Sequence, residues 1–305
     1  MNVFPLISVI IPTHSGSKVI TRAVDSALEQ TYPNVEVVVV DDNGRGTTEQ
    51  VATEAEMQKY ASDKRVKYIP HESSLHGSAA RNTGVKYSKG EYIALLDDDD
   101  YFMKNNLMAH YVTLNGCDDS YGLSFCGMHI IRGGMEEDII SNYQGDVLVD
   151  FLMGRMRVGS SLVMIKRSVY EEFGGFDESF KRHQDWEFLT RIFTKYKLAS
   201  THEIGVVKIN LDRNSAASPK KFETNRTYFL DKMSNIINAL PPKIGREIID
   251  MHFGTIAKEY FKARQYKEMM AWCNKTSNPL RCFFGIIQSA IVYVFKRIKN
   301  GTGRY

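Results

Sequence analysis

Residues 97–100 are four consecutive aspartates, placed directly after the apolar run "EYIALL" (91–96). Like charges that close repel one another, and desolvating any of them is costly. The run is therefore either a turn solvated by water or a seat for a cation. A second acidic group, Asp41-Asp42-Asn43, ends the apolar run "VEVVVV" (35–40). Asp, Asn and the following Gly44 supply turn chemistry, and taken alone that reading suffices. Two acidic clusters at neighbouring strand ends are harder to assign to turns. Mg²⁺ and Mn²⁺ typically take one or two carboxylates plus substrate phosphates, so a nucleoside diphosphate bridged to the chain by such a cation fits. Asp100 is also placed to cap the helix that follows. In "GGFDESFKRHQDWEFLTRIF" (174–193), Asp185 stands at the start of a helical pattern. Its type suits an N-cap and equally a general base that takes a proton from an acceptor hydroxyl. His183 is the second candidate base, by its titration range. Glu187, two residues on, points to another helix face and forms no pair with Asp185. Trp186 repeats with Leu189, Phe193 and Tyr196 at helical spacing and reads as core.

These groups need elements to position them. "ISVIIP" (7–12) and "VEVVVVDD" (35–42) are β-branched and apolar on both faces, as strands buried in a parallel sheet are. Between them Ile20, Ala23, Val24, Ala27 and Leu28 mark one face of a helix. A helix over 48–61, a strand at 66–70, a helix over 78–88 and a strand at 91–96 complete a β-α-β-α-β-α-β order. The fold class predicted is α/β, a doubly wound, mainly parallel sheet with a C-terminal helical extension. Later elements are a helix near 103–114, strands near 122–131 and 161–165, and a helix over 185–197. The polar stretch "NLDRNSAASPKK" (210–221) marks a boundary, and from 222 the pattern is helical only. The domains predicted are 1–221, with a nucleotide-binding half to about 100 and an acceptor half beyond it, and 222–305. In open α/β sheets ligands bind beyond the carboxyl ends of the strands. Pro12-Thr13-His14, Asp41-Asp42-Asn43 and Asp97–Asp100 are three such ends.

Other phosphate chemistries are excluded. No G-x-x-x-x-G-K-[ST] follows a strand, and "NGRGTT" (43–48) has two of the three glycines of the dinucleotide fingerprint, after the wrong strand. Across 305 residues, 39 Lys and Arg against 36 Asp and Glu leave a net charge of +3, too small to argue for nucleic acid. Hydrophobic residues at 43% provide ample core. Cys117, Cys126, Cys273 and Cys282 lack metal-ligand pairing and read as reduced thiols of a cytosolic protein. The opening "MNVFPLISVIIP" has no signal-peptide pattern, and no apolar stretch reaches the roughly 20 residues of a spanning helix.

"ISVIIPTHSGSKVITRAVDSALEQTYPNVEVVVVDDNGRG", "GSAARNTGVKYSKGEYIALLDDDDYF" and "GGFDESF…QDWEFLTRIF" together resemble the family 2 glycosyltransferases of GT-A fold, over roughly residues 5–215. The resemblance implies an inverting enzyme that moves a sugar from a nucleotide donor, a UDP-sugar, to a saccharide or lipid-linked acceptor. It implies that Thr13 and Asp42 hold the nucleotide base and ribose, with Pro12 and His14 lining that pocket. Arg81, in "AARN", matches a basic residue of the donor pocket. Asp97-Asp98-Asp99 matches the D-x-D stretch, with Asp99 the direct ligand of Mn²⁺ or Mg²⁺, Asp97 sharing that seat, and Asp98 beside the ribose or metal. Asp185 matches the catalytic base. Three departures stand out: His14-Ser15 replaces an aromatic followed by Asn, Gln184-Asp185 replaces Glu-Asp, and "LDRNSAAS" lacks a histidine.

Two other classes compete: a non-catalytic sugar-nucleotide binder or scaffold on the same fold, and a nucleotidyltransferase. A binder needs no base at Asp185, and the glycine-rich basic loop of a nucleotidyltransferase is missing from "PTHSGSK". The tail "PLRCFFGIIQSAIVYVFKRIKNGTGRY" (279–305) is apolar and basic without an acidic residue. It reads either as a helix packed onto the catalytic domain or as a peripheral anchor on an anionic cytoplasmic membrane face, where enzymes of surface-glycan assembly such as lipopolysaccharide or capsule meet lipid-linked acceptors.

Overall fold

The structure, a computed structural model, describes residues 4–140, 142–209 and 218–301, with side chains to residue 292. The chain divides into two compact units, residues 1–213 and 214–305. The first unit opens with β1 (Ile7–Thr13), α1 (Ile20–Leu28), β2 (Val35–Asp41), α2 (Thr48–Met57), β3 (Val66–Pro70), α3 (His76–Tyr87) and β4 (Tyr92–Leu95). These four strands are all parallel, paired β3-β2-β1-β4. Val37 to Val40 and Val9 to Ile11 are fully buried, because helices cover both faces of a parallel sheet and leave no polar alternation. On α1 the predicted stripe Ile20, Ala23, Val24 and Ala27 is the buried one.

The unit continues with β5 (Asp100–Phe102), α4 (Asn106–Asn115), β6 (Tyr121–Arg132), β7 (Met135–Ile139), α5 (Leu148–Leu152), β8 (Val163–Lys166), α6 (Arg167–Glu172), α7 (Gln184–Phe193) and β9 (Lys197–Ile209). The sheet extends past β4 through β8, β6, β9 and β5, with β7 on β6. The added pairings are antiparallel except β6 with β9, so the sheet is parallel in its first half and mixed in its second.

Three strands carry no periodic signal in the sequence. β7 is an exposed edge strand, "MEEDI", held by a turn with Gly133 and Gly134 at φ 55 and 77. β9 is interrupted by the polar Thr201-His202-Glu203 and shifts register against β6. β5 lies inside the acidic run itself. Asp100 is therefore no helix cap: it is a buried strand residue, and α4 starts only at Asn106, with Asn105 in the cap position.

The second unit is helical: α8 (Pro219–Lys232), α9 (Ser234–Ala239), α10 (Pro242–Lys262), α11 (Tyr266–Cys273) and α12 (Pro279–Gly301). Ser218 caps α8 by accepting from Lys221 N at 3.3 Å. The core here joins Ile256, Tyr260, Met269, Trp272, Cys273 and Ile286. Most of the predicted boundary loop, residues 210–217, lies outside the described residues.

Candidate active site

The sheet register sets β1 beside β2 and β4, with Thr13 opposite Asp41 and Ile10 opposite Leu95. Residues just past those ends therefore meet in one crevice. Thr13 Oγ1 donates to Asp98 Oδ2 at 2.6 Å across it. Gly16 is required at this point: a Cβ there would sit 1.9 Å from Asp98 Oδ2 and 2.2 Å from Thr13 Oγ1. His14 Nδ1 lies 3.1 Å from the Asp42 carbonyl, and Ser15 N donates to Asn43 Oδ1 at 2.8 Å. Thr13 and His14, which follow Pro12 at the end of β1, thus stand on one wall of the crevice.

Asp41 and Asp42 divide two tasks. Asp41 is fully buried and accepts from Asn43 N at 2.9 Å and from Tyr68 OH at 2.6 Å, which makes the turn after β2. Asp42 uses both carboxylate oxygens on the segment 71–76. Oδ1 meets His71 Nδ1 at 2.8 Å and Leu75 N at 2.7 Å; Oδ2 accepts from Ser74 Oγ at 2.9 Å and His76 N at 2.8 Å. These four contacts order the loop 71–76 around the Asp42 carboxylate.

The four aspartates are not equivalent. Arg81 Nη2 donates to Asp97 Oδ1 at 2.7 Å, and Ser160 Oγ lies 2.9 and 3.0 Å from the two Asp97 oxygens. Burial opposes the Asp97 charge, but Arg81, Lys208 and Ser160 outweigh it and hold this carboxyl below its usual range. Asp100 is paired with Lys208 of β9 and accepts from Ser161 Oγ. Burial, joined by the Asp97 charge, pushes Asp100 up to about 6 against the pull of Lys208. For Lys208, burial disfavours its charge, yet Asp100, Asp97 and Asp99 hold the ammonium above its ordinary range. Arg22 Nη2 donates to the Asp99 backbone carbonyl at 2.7 Å. Asp97 and Asp100 are thus each paired with a cation of the protein, and Asp98 and Asp99 are half-exposed at the crevice.

Arg81 also reaches the other wall. Its Nη1 donates to Gln184 Oε1 at 2.9 Å, at the start of α7 and one residue from Asp185. The cap position of α7 is His183, in the left-handed region at φ 60, so Asp185 is not the cap. The Asp185 carboxylate accepts from Trp186 N at 2.9 Å. Burial raises its pKa, Asp97 adds to the rise, and Arg81 restrains it. Trp186 packs against Phe151 at 5.4 Å between ring centroids, as core.

Asn82, next to Arg81, escaped selection from sequence. Its Oδ1 accepts from Phe176 N at 2.9 Å and Tyr170 OH at 2.6 Å, and its Nδ2 donates to Phe176 O at 2.9 Å. It ties the segment before α7 to α3. Arg191 does the same from α7, donating to Gly175 O at 2.6 Å while paired with the buried Glu187. Ser160, Ser161, Lys208 and Gln184 were also not selected as site residues; only spatial neighbourhood reveals them.

Among the described residues no three His, Cys, Asp or Glu side chains converge into a metal cage. The donor set instead suits a hard cation that arrives with a diphosphate, since such ions bind through one or two carboxylates and substrate phosphates.

The family described as Glycosyl transferase family 2 matches residues 8–116, and Glycosyltransferase like family 2 matches residues 112–240. The chain belongs to glycosyl transferase family 2. An uncharacterized glycosyltransferase of Rickettsia prowazekii is 29% identical over 207 residues, 66% of this chain and 62% of that protein. The Escherichia coli enzyme WfgD, a UDP-Glc:α-D-GlcNAc-diphosphoundecaprenol β-1,3-glucosyltransferase, is 36% identical over 102 residues, 33% of this chain and 38% of that one. The match spans less than two thirds of the length of these relatives. Among solved structures, S. aureus TarS 1–349 in complex with UDP-GlcNAc has a TM-score of 0.67 at 20% identity, covering 90% of this chain and 81% of that one. The mannosyltransferase PcManGT of Pyrobaculum calidifontis, in complex with GDP-Man and Mn²⁺, has a TM-score of 0.62 at 18% identity, covering 99% and 84%. These likenesses are of fold, and they place this family 2 chain in the GT-A architecture predicted from its sequence.

Proposed function

We propose that this family 2 chain is an inverting glycosyltransferase that moves a sugar from a UDP-sugar to a saccharide or lipid-linked acceptor. One observation carries the reading. The Arg81 guanidinium bridges Asp97 on the donor wall and Gln184, the neighbour of Asp185, on the opposite wall. One guanidinium thus ties the Asp97 wall to the wall that carries Asp185, which supports a reading in which donor diphosphate and base face one another for a one-step displacement.

Pro12, Thr13 and His14 line the nucleotide wall, and Asp42 orders the loop 71–76 that borders it. Asp99, with the second oxygen of Asp97, would hold a Mn²⁺ or Mg²⁺ ion carried by the donor, and Asp98 would stand beside the ribose or that ion. When bound, that ion supplies positive charge opposite the developing negative charge of the leaving diphosphate. Asp185 takes the proton of the attacking acceptor hydroxyl, and its raised pKa makes it a stronger base than an ordinary aspartate. The Arg81 charge opposes that rise, and its guanidinium fixes the start of α7. A cavity of about 470 Å³ in the first unit, lined by Phe125, Met128, Tyr143, Arg157 and Leu162, is the candidate acceptor site.

The test is turnover of UDP-sugars with an acceptor panel, read by free UDP and by the anomeric configuration of the product. UDP release with inversion supports the reading. Pyrophosphate release identifies a nucleotidyltransferase, and donor binding without any turnover identifies a binder.

A further inference from the structure

α12 has two apolar faces, and only one of them is used inside the second unit. Ile286 is 5% exposed and packs with Ile256, Tyr260, Met269 and Trp272, with Phe283 and Cys282 against the same cluster. On the other side Leu280 is 71% exposed, Phe284 63% and Ile291 50%. At about 100° per residue these three fall within about 40° of one another, roughly 140° around the axis from Ile286. A contiguous apolar stripe of large side chains left in water marks an interaction surface rather than scatter.

The charge on the segment says what covers it. Residues 279–305 contain Arg281, Lys296, Arg297, Lys299 and Arg304 and no Asp or Glu. A second copy of this helix would bring cations against cations. An anionic surface is complementary. No helix among the described residues is long and apolar enough to cross a membrane, and the uncharged stretch 282–295 between Arg281 and Lys296 falls short of the roughly 20 residues of a span, which favours contact along the surface. We propose that α12 docks in the plane of an anionic lipid surface. Leu280, Phe284 and Ile291 enter the boundary between headgroups and acyl chains, and the positive charge of the segment as a whole draws it to phosphate headgroups. One face of this helix thus builds the core of its own unit, and the other is left for lipid.

The buried face decides the form of the experiment. Truncation before α12 would strip Phe283 and Ile286 from the core and confound binding with unfolding. Phe284→Glu/Ile291→Glu changes only the outward face. The full chain is co-sedimented with vesicles of phosphatidylcholine alone and of phosphatidylcholine with phosphatidylglycerol. The wild type should sediment with the anionic vesicles, be released by high salt, and ignore the neutral ones. The double variant should lose partitioning by about tenfold or more per side chain, with an unchanged melting temperature. Should it misfold, Phe284→Ser/Ile291→Ser replaces it. Lys296→Glu/Lys299→Glu should weaken binding without touching the apolar stripe. The proposal is overturned if the wild type ignores anionic vesicles, if the outward-face variants still bind them, or if the wild type is a dimer in vesicle-free buffer that these variants dissociate. None of these readouts uses glycosyl transfer, so their failure is separate from failure of the proposed activity.

Discussion

Arg81 and Asp97 form an ion pair at 2.7 Å, with side-chain exposures of 11% and 30%, and the same guanidinium holds Gln184. Such a fork gives Arg81 two tasks that Lys cannot share, because an ammonium is a point charge without fixed geometry. Arg81→Lys should keep the fold and lower kcat on the order of 10²-fold. Arg81→Gln should in addition move the acid limb of the kcat/KM profile to higher pH. The sign follows from Asp185, which must be ionised to act: the Arg81 charge lowers its pKa, so removing that charge raises it further. A pH–rate profile with an unmoved acid limb would show that Arg81 does not act on the base.

Asp185→Asn keeps shape and removes the proton acceptor. Transfer should fall on the order of 10²-fold or more, while UDP-sugar binding, measured by calorimetry, stays near wild type. The α7 cap is His183, so little stability should be lost. Turnover close to wild type would hand the role of base to His183.

Asp99→Asn tests the cation seat. Transfer should be lost, and the strengthening of UDP binding by Mn²⁺ should vanish while metal-free UDP binding changes little. Equal Mn²⁺ dependence in mutant and wild type rules out Asp99 as a ligand.

Asn82→Ala removes the acceptor of Phe176 N and Tyr170 OH and the donor to Phe176 O. Leaving buried groups unpaired costs about 1–3 kcal/mol each, so a fall in melting temperature is expected. The segment 174–183 then loses its tie to α3, and kcat should drop more than donor KM rises. A purely structural residue would lower the melting temperature and leave kcat per folded molecule unchanged.

The first four strands and α1 were readable because their signals are local. Val37–Val40 is a continuous apolar run, and the stripe on α1 has the helical period. The acidic run could be found but not resolved, since the partners that separate its members are remote. Lys208 is 108 residues from Asp100, and Gln184 is 103 residues from Arg81. Asp100 suits a cap by its type alone. What overrides that preference is an ion pair made by a strand, β9, whose own polar interruption hid it from any periodicity.

His110 gives the fold an acid-sensitive point. It is 1% exposed on α4, with Nδ1 2.7 Å from Ser124 Oγ, and burial lowers its pKa to about 3. The unfolded chain takes up this proton near pH 6.5, and the native state does not. Stability is therefore full above pH 6.5 and falls as pH drops below it, by about 1.4 kcal/mol per unit, or roughly 2 kcal/mol by pH 5. Asp100 works in the opposite direction: its native pKa of about 6 lies above the unfolded value, so acidification through that range favours the native state. The two effects separate by difference. His110→Gln cannot titrate, so urea unfolding at pH 7 and pH 5 should show a smaller loss for the variant than for the wild type, by roughly 2 kcal/mol. At pH 7 the variant itself should be weaker by about 1–2 kcal/mol, from imperfect replacement of a buried hydrogen-bonded ring. If wild type and variant lose the same stability between those pH values, His110 is not the group that makes the native state acid-sensitive.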